Sequence, residues 1–229
     1  MKKERLKRFS GFVVAVLTAL TASGQCRYYN TYEDFLNGQW EPLDTVYCNS
    51  HSKSHQMWWG GNDYQLSTGN DVIDKKLKKD AFIVMRADTM YINCRNLQYE
   101  KTRFGNGYTR AVRIGERSLL FVNKIIGRDA MNTRMTAGLM FGAVGGIISA
   151  SKQAKQQVCY VISGGADKKG LINIRLIDDA QMDQMIIKHD DLRDEYYAEE
   201  DTKKRILATH IVPILEKAGL FNQYKVVNQ

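Results

Sequence analysis

The sequence predicts an α+β protein: an antiparallel β-sheet interrupted by a glycine-rich apolar segment and closed at the C-terminus by acidic helices. Three observations predict it. Between residues 81 and 122, short β-branched and aromatic runs are punctuated by Asp- and Gly-containing turns, the pattern of successive hairpins. From Asp178 onward, apolar residues recur at helical spacing, and residues 178–201 carry ten acidic side chains against two basic ones. Between the two regions lie residues 135–150, where Gly138, Gly142, Gly146 and Ala150 recur at four-residue spacing.

The start of the chain concerns targeting. A basic block, Met1-Lys2-Lys3-Glu4-Arg5-Leu6-Lys7-Arg8, runs into the apolar residues 12–20, the layout of a secretory signal peptide. Small residues at Ala22 and Gly24 place cleavage before Gln25, which leaves a single domain over 25–229, exported to the periplasm or cell envelope. The apolar core is short against the roughly 20 residues that a spanning helix needs. A lipid-carrying cysteine normally follows a small residue, and Cys26 follows Gln25, so Cys26 reads as an ordinary cysteine. Residues 1–24 hold five basic and one acidic side chain, half of the net charge of +8. The mature chain is thus only mildly basic and has no helix-turn-helix, zinc-finger or RNP pattern, so nucleic acid is not expected as a partner.

Each element follows from local chemistry. Thr31-Tyr32-Glu33-Asp34 pairs an N-capping threonine with an acid three residues on, and Gly38 ends the short helix so begun. The sheet is expected over about 45–176, opening with Thr45-Val46-Tyr47-Cys48. Residues 49–62 are polar and carry Met57-Trp58-Trp59-Gly60-Gly61, a surface loop with an aromatic knuckle. Hairpins join residues 82–85 to 90–94 around Ala87-Asp88-Thr89, and 108–114 to 118–122 around Gly115-Glu116, with a further turn at Gly105-Asn106-Gly107. Residues 158–162 and 171–176 form the last hairpin.

The helical part, about 178–219, opens where Asp178 or Asp179 caps a helix bearing Met182, Met185 and Ile186. A second helix runs over 192–197. A third, over 202–218, keeps Leu207, Ile211, Ile214, Leu215 and Ala218 on one face, and Pro213 is expected to kink or divide it. Residues 75–117 carry eleven basic and four acidic side chains, so either the acidic helices fold back near a basic sheet edge or the two stretches are solvated faces of opposite sign.

The glycine segment has two uses. As a helix, sixteen residues span about 24 Å, short of the roughly 30 Å hydrocarbon core. A bare ridge suits a buried segment packed tightly on the sheet, or a re-entrant or oligomer-forming hairpin making peripheral membrane contact through Gly138, Gly142 and Gly146; so glycine-rich a run also suits an extended, irregular course between strands.

Few residues point to chemistry. Cys26, Cys48, Cys94 and Cys159 are too few and scattered for a disulfide scaffold, and their pairing stays open; Cys94 and Cys159 lie in strand-like runs where buried free cysteine is common. His51 and His55 are four apart, but no third ligand stands at a zinc spacing, so no metal is expected. Asp178-Asp179, Asp190-Asp191 and Asp194-Glu195 look like carboxylate pairs, yet capping and the helix dipole explain them. No nucleophile elbow, zincin, P-loop or dinucleotide fingerprint occurs, and neither catalytic residues nor a cofactor are expected. Trp58 and Trp59, beside Asn62, Asp63 and Tyr64, are the candidate ligand-binding residues, a stacking platform for a sugar ring; the same rings would also serve to plug the sheet core.

Thr31 to Phe35, the block Thr89-Met90-Tyr91-Ile92-Asn93-Cys94 continuing to Phe104-Gly105-Asn106-Gly107-Tyr108, the glycine-rich run and the Tyr160-Val161-Ile162 strand before short acidic helices resemble a family of uncharacterised exported proteins from Bacteroidota-type bacteria. The resemblance covers nearly the whole mature chain and implies no activity, ligand or catalytic residue. The loop over 163–170 departs from it, being longer and more basic than a tight turn. The expected function is that of a non-catalytic envelope protein acting by contact with another envelope component or itself, or of a glycan or small-ligand module using the tryptophan pair.

Overall fold

The computed structural model describes residues 26–52, 62–127 and 157–221. Trp58, Trp59, His55, the N-terminal basic and apolar stretch and the glycine segment with Gly138, Gly142 and Gly146 lie outside them.

The fold is α+β, built on an antiparallel sheet of ten strands. Its strands are β1 (Cys26–Tyr29), β2 (Glu41–Leu43), β3 (Tyr47–Ser50), β4 (Tyr64–Ser67), β5 (Ile83–Arg86), β6 (Thr89–Asn93), β9 (Tyr108–Ile114), β10 (Ser118–Lys124), β11 (Gln157–Ile162) and β13 (Arg175–Leu176). They run β13-β11-β10-β9-β6-β5-β1-β2, and the β3–β4 ribbon joins β9 only at Tyr64 and Tyr108. Three short strands, β7 (Leu97–Tyr99), β8 (Thr102–Arg103) and β12 (Ile172–Asn173), form a second sheet, with β12 parallel to β7. The helices are α1 (Tyr32–Asn37), α2 (Asp71–Lys79), α3 (Asp179–Met185), α4 (Asp190–Tyr197), α5 (Thr202–Arg205) and α6 (Ala208–Lys217).

Period-two alternation buries both faces of the central strands. Tyr29, Ile83, Met85, Met90, Ile92, Leu119, Phe121, Val158, Tyr160 and Ile162 face one side, against Tyr32 and Phe35 of α1, Leu97 and Ile172 from the small sheet, and Phe104 and Ile174 just past its strands. Tyr160 sits at the centre: its ring stacks on Phe121 at 5.5 Å and meets Phe104 edge-on at 5.1 Å, while its hydroxyl accepts from the Ile126 N–H at 3.2 Å and donates to the Lys124 carbonyl at 3.2 Å. The other side carries two separate clusters. At the β1 end, Tyr28, Val84, Tyr91 and Tyr108 pack on Leu77 of α2 and Leu66 of β4. At the β11 end, Leu120, Cys159 and Val161 pack on Met182, Leu192, Tyr196, Ile211, Ile214 and Leu215 of the C-terminal helices.

Three features of this architecture differ from the sequence expectation. The sheet begins at Cys26 rather than near 45, because β1 inserts between β2 and β5; four residues with two adjacent tyrosines give no readable alternation. Residues 171–176 are not one strand. Ile172 and Asn173 turn to β7, and only Arg175 and Leu176 return to β11, so each short piece serves a different sheet. The last helix is divided at Ile206 and Leu207, not at Pro213, which lies within α6. Leu207 leaves helical geometry to bridge Val158 of β11, which forces the break.

The charge segregation also resolves locally. Asp179 pairs with Arg205, Asp183 with Arg193 and Glu195 with Lys217, all within the helical part. Among the described residues no ion pair joins the acidic helices to basic side chains of residues 75–117, so the suggested fold-back is not what neutralises them.

Candidate functional site

The two clusters on one sheet face leave a gap between them, and the gap is the candidate site. Alternation along β9 sends Tyr108, Arg110, Val112 and Ile114 to this face. The two ends are buried in opposite clusters, whereas Arg110 and Val112 between them are exposed, Val112 at 43%. Register places Val112 opposite Leu120 of β10 and Arg110 opposite Tyr91 of β6. The result is a cleft of about 480 Å³, floored by Val112, Leu120 and Val122, with the β3–β4 ribbon on one side and Val212 and Phe221 on the other.

The ribbon wall is held by hydrogen bonds. The His51 N–H donates to the Asp63 carbonyl at 2.7 Å, extending the β3–β4 ladder. The His51 Nδ1 lies 3.0 Å from the Asn62 carbonyl, which can only accept, so Nδ1 carries the proton there. The Thr109 hydroxyl stands 2.9 Å from Asp63 Oδ2. Behind the wall, buried Asn62 donates its amide to the carbonyls of Asn106 at 2.9 Å and Gly105 at 3.3 Å, and accepts from Asn123 at 3.0 Å. Gly107 makes this approach possible: at φ +100° it lies so close that an added Cβ would stand 3.1 Å from the Asn62 nitrogen.

Arg110 sets the electrostatics. Its guanidinium lies 5.2 Å from the centre of the Tyr64 ring, which in turn meets Tyr91 edge-on at 5.3 Å. Burial pushes the Tyr91 hydroxyl above its ordinary range, with Cys48 adding to the effect, so it stays protonated at neutral pH. Among the described residues no carboxylate forms an ion pair with Arg110. The floor therefore offers apolar area and a planar cation side by side. Thr109, which also lines the cleft, is 1% exposed, so its hydroxyl is not presented to a ligand.

A second cleft, of about 520 Å³, lies between β2 and α2. Glu41 stands at its edge, accepting from Lys76 Nζ at 2.8 Å, from Asn30 at 2.7 Å and from the Tyr28 hydroxyl. These donors, Lys76 first, hold the Glu41 carboxyl down at about 2. Glu41 fastens α2 to the sheet, which makes it a structural carboxylate.

Of the residues singled out from the sequence, His51, Asp63 and Tyr64 line the first cleft and Asn62 lies behind its wall, while His55, Trp58 and Trp59 lie outside the described residues. Of the carboxylate pairs, three members have structural roles: Asp178 caps α3 through the Gln181 N–H at 2.9 Å, Asp179 accepts from Arg205 at 2.5 Å and from Tyr196 at 2.8 Å, and Glu195 takes Lys217 at 2.6 Å, while Asp190 and Asp191 stand in the first turn of α4. Among the described residues no group of three potential ligands is placed to hold a metal, and no helix is long and apolar enough to cross a membrane. Cys26, Cys48, Cys94 and Cys159 carry no disulfide, and Cys94 and Cys159 are fully buried in the core. Sequence reasoning missed Arg110 and Val112. The available signal was a cation and a valine on the same parity as Tyr108 and Ile114.

No curated protein and no solved structure matches the chain. A family model described as a family of unknown function, DUF6563, matches residues 27–222, and the chain belongs to that family.

Proposed function

We propose that this member of the family is an exported, non-catalytic binding protein of the periplasm or cell envelope of Bacteroidota-type bacteria, engaging its ligand or envelope partner through the cleft above β9 and β10. One observation carries the binding reading: the sheet face leaves Val112 exposed beside Arg110 at a place walled on two sides. The basic block and apolar run before Gln25 support export.

Fractionation of cells making the full chain tests the compartment. The expected product is a periplasmic or envelope species beginning at Gln25; a chain found in the cytoplasm with Met1 intact overturns export. An alkaline carbonate wash separates a soluble species from one held by residues 138–146 or by a lipid on Cys26.

A second reading gives Trp58 and Trp59 the ligand, as a platform for a glycan. Its support is connectivity, since His51 and Asp63, on either side of that stretch, both line the cleft. Titration of envelope polysaccharide fractions should quench tryptophan emission in the wild type and not in a Trp58→Phe, Trp59→Phe variant. Unchanged emission in the wild type removes this reading.

A further inference from the structure

Resting on the cleft reading, we infer that the ligand is a free amphiphilic monocarboxylate: an apolar chain or ring system on the valine floor and a single carboxylate on Arg110. The argument starts from the floor. Val112, Val122, Val212 and Phe221 give the cleft an apolar lining long enough for a small molecule, and a volume of about 480 Å³ falls among small-ligand sites. A ligand made only of hydrocarbon would leave the guanidinium of Arg110 without a carboxylate counter-charge, since among the described residues it meets the Tyr64 ring and the Tyr91 hydroxyl but pairs with no carboxylate. Arginine presents a planar fork of donors that matches a carboxylate in two parallel bonds.

Tyr64 under the guanidinium, 5.2 Å away, favours one placement of that fork, which lessens the side-chain freedom lost on binding. Charge then decides between anions. One arginine neutralises one negative charge, and among the described residues lining the cleft there is no lysine or second arginine to answer another. A dianionic phosphate is thus disfavoured and a carboxylate preferred.

The test uses the mature protein, dodecanoate as the probe, and dodecanol and dodecyl phosphate as comparators, each below its aggregation limit in a calorimeter. The expected result is saturable one-to-one binding of dodecanoate that weakens at least about tenfold in Arg110→Gln, with dodecanol binding unchanged by that substitution. Val112→Asp, which places a like charge on the floor, should abolish dodecanoate binding.

Dodecanoate bound equally by wild type and Arg110→Gln overturns the head-group assignment. So does dodecyl phosphate bound more tightly than dodecanoate. Dodecanol binding without dodecanoate binding overturns the inference yet keeps the cleft as an apolar site. Binding of neither probe overturns the inference and leaves the cleft only as a contact surface for protein, which fractionation with its partner then judges.

Discussion

Asn62 shows how much one side chain can hold. Its amide, itself 1% exposed, meets the carbonyls of Gly105 and Asn106 and the buried Asn123 side chain. Asn62→Ala would leave those groups without their partner, and is expected to cost about 2–3 kcal/mol in chemical denaturation. Glu41 predicts a pH dependence. A carboxyl held at about 2 when folded, against an ordinary 4.5, stabilises the fold above its unfolded pKa and loses that contribution as pH falls. The stability difference between wild type and Glu41→Gln should be full at pH 6 and shrink steadily from pH 4.5 towards pH 2. A difference that stays constant over that range would show that the carboxylate's partners do not favour its charged form. The cysteines make a third case at this scale. Burial pushes the Cys159 thiol up to about 12 and the Cys94 thiol higher still, whereas Cys48 is half-buried. Alkylation of the native protein at pH 8, read by mass spectrometry, should modify Cys48 first and reach Cys94 and Cys159 only after unfolding.

Among the elements, α1 is the one whose start and stop are both written in its sequence. Thr31 and Asp34 form a reciprocal capping box, and Gly38 closes the helix at φ +68°. Thr31→Ala should lower stability by about 1 kcal/mol. The hairpins β5–β6 and β9–β10 were equally legible, since alternating runs around short turns fix both strands and register. What could not be read locally is what depends on a distant partner. β1 is a strand because β2 and β5 flank it, β12 because β7 receives it, and the break before α6 exists because Leu207 bridges Val158. The cleft belongs to the same class. Arg110 and Val112 read as ordinary outward positions of a half-buried strand; their role comes from the β3–β4 ribbon standing on one side of them and Val212 of α6 with Phe221 on the other. His51 was visible as a residue, though its bond to the Asn62 carbonyl requires the ribbon.

At the scale of the molecule, the C-terminal helices are structural partners of the sheet. They cover Leu120, Cys159 and Val161, and Leu215 within them is fully buried. Leu215→Ala should destabilise by about 2–5 kcal/mol. A chain stopped after Ile177 would uncover that whole face, and is expected to bind a hydrophobic dye and to lose its cooperative thermal transition; a sharp, dye-free transition would show that the sheet stands without its helices. The place of β1 in the sheet has a consequence in time. It is the first described strand along the chain, yet one of its edges belongs to Ile83–Arg86 and the other to Glu41–Leu43. A chain that emerges from its N-terminal end, from a ribosome or through a pore, therefore presents Cys26–Tyr29 well before β5 exists to receive it. Until then those tyrosines must wait in solvent or in the keeping of another protein, so assembly runs in the order of the sheet rather than in the order of synthesis.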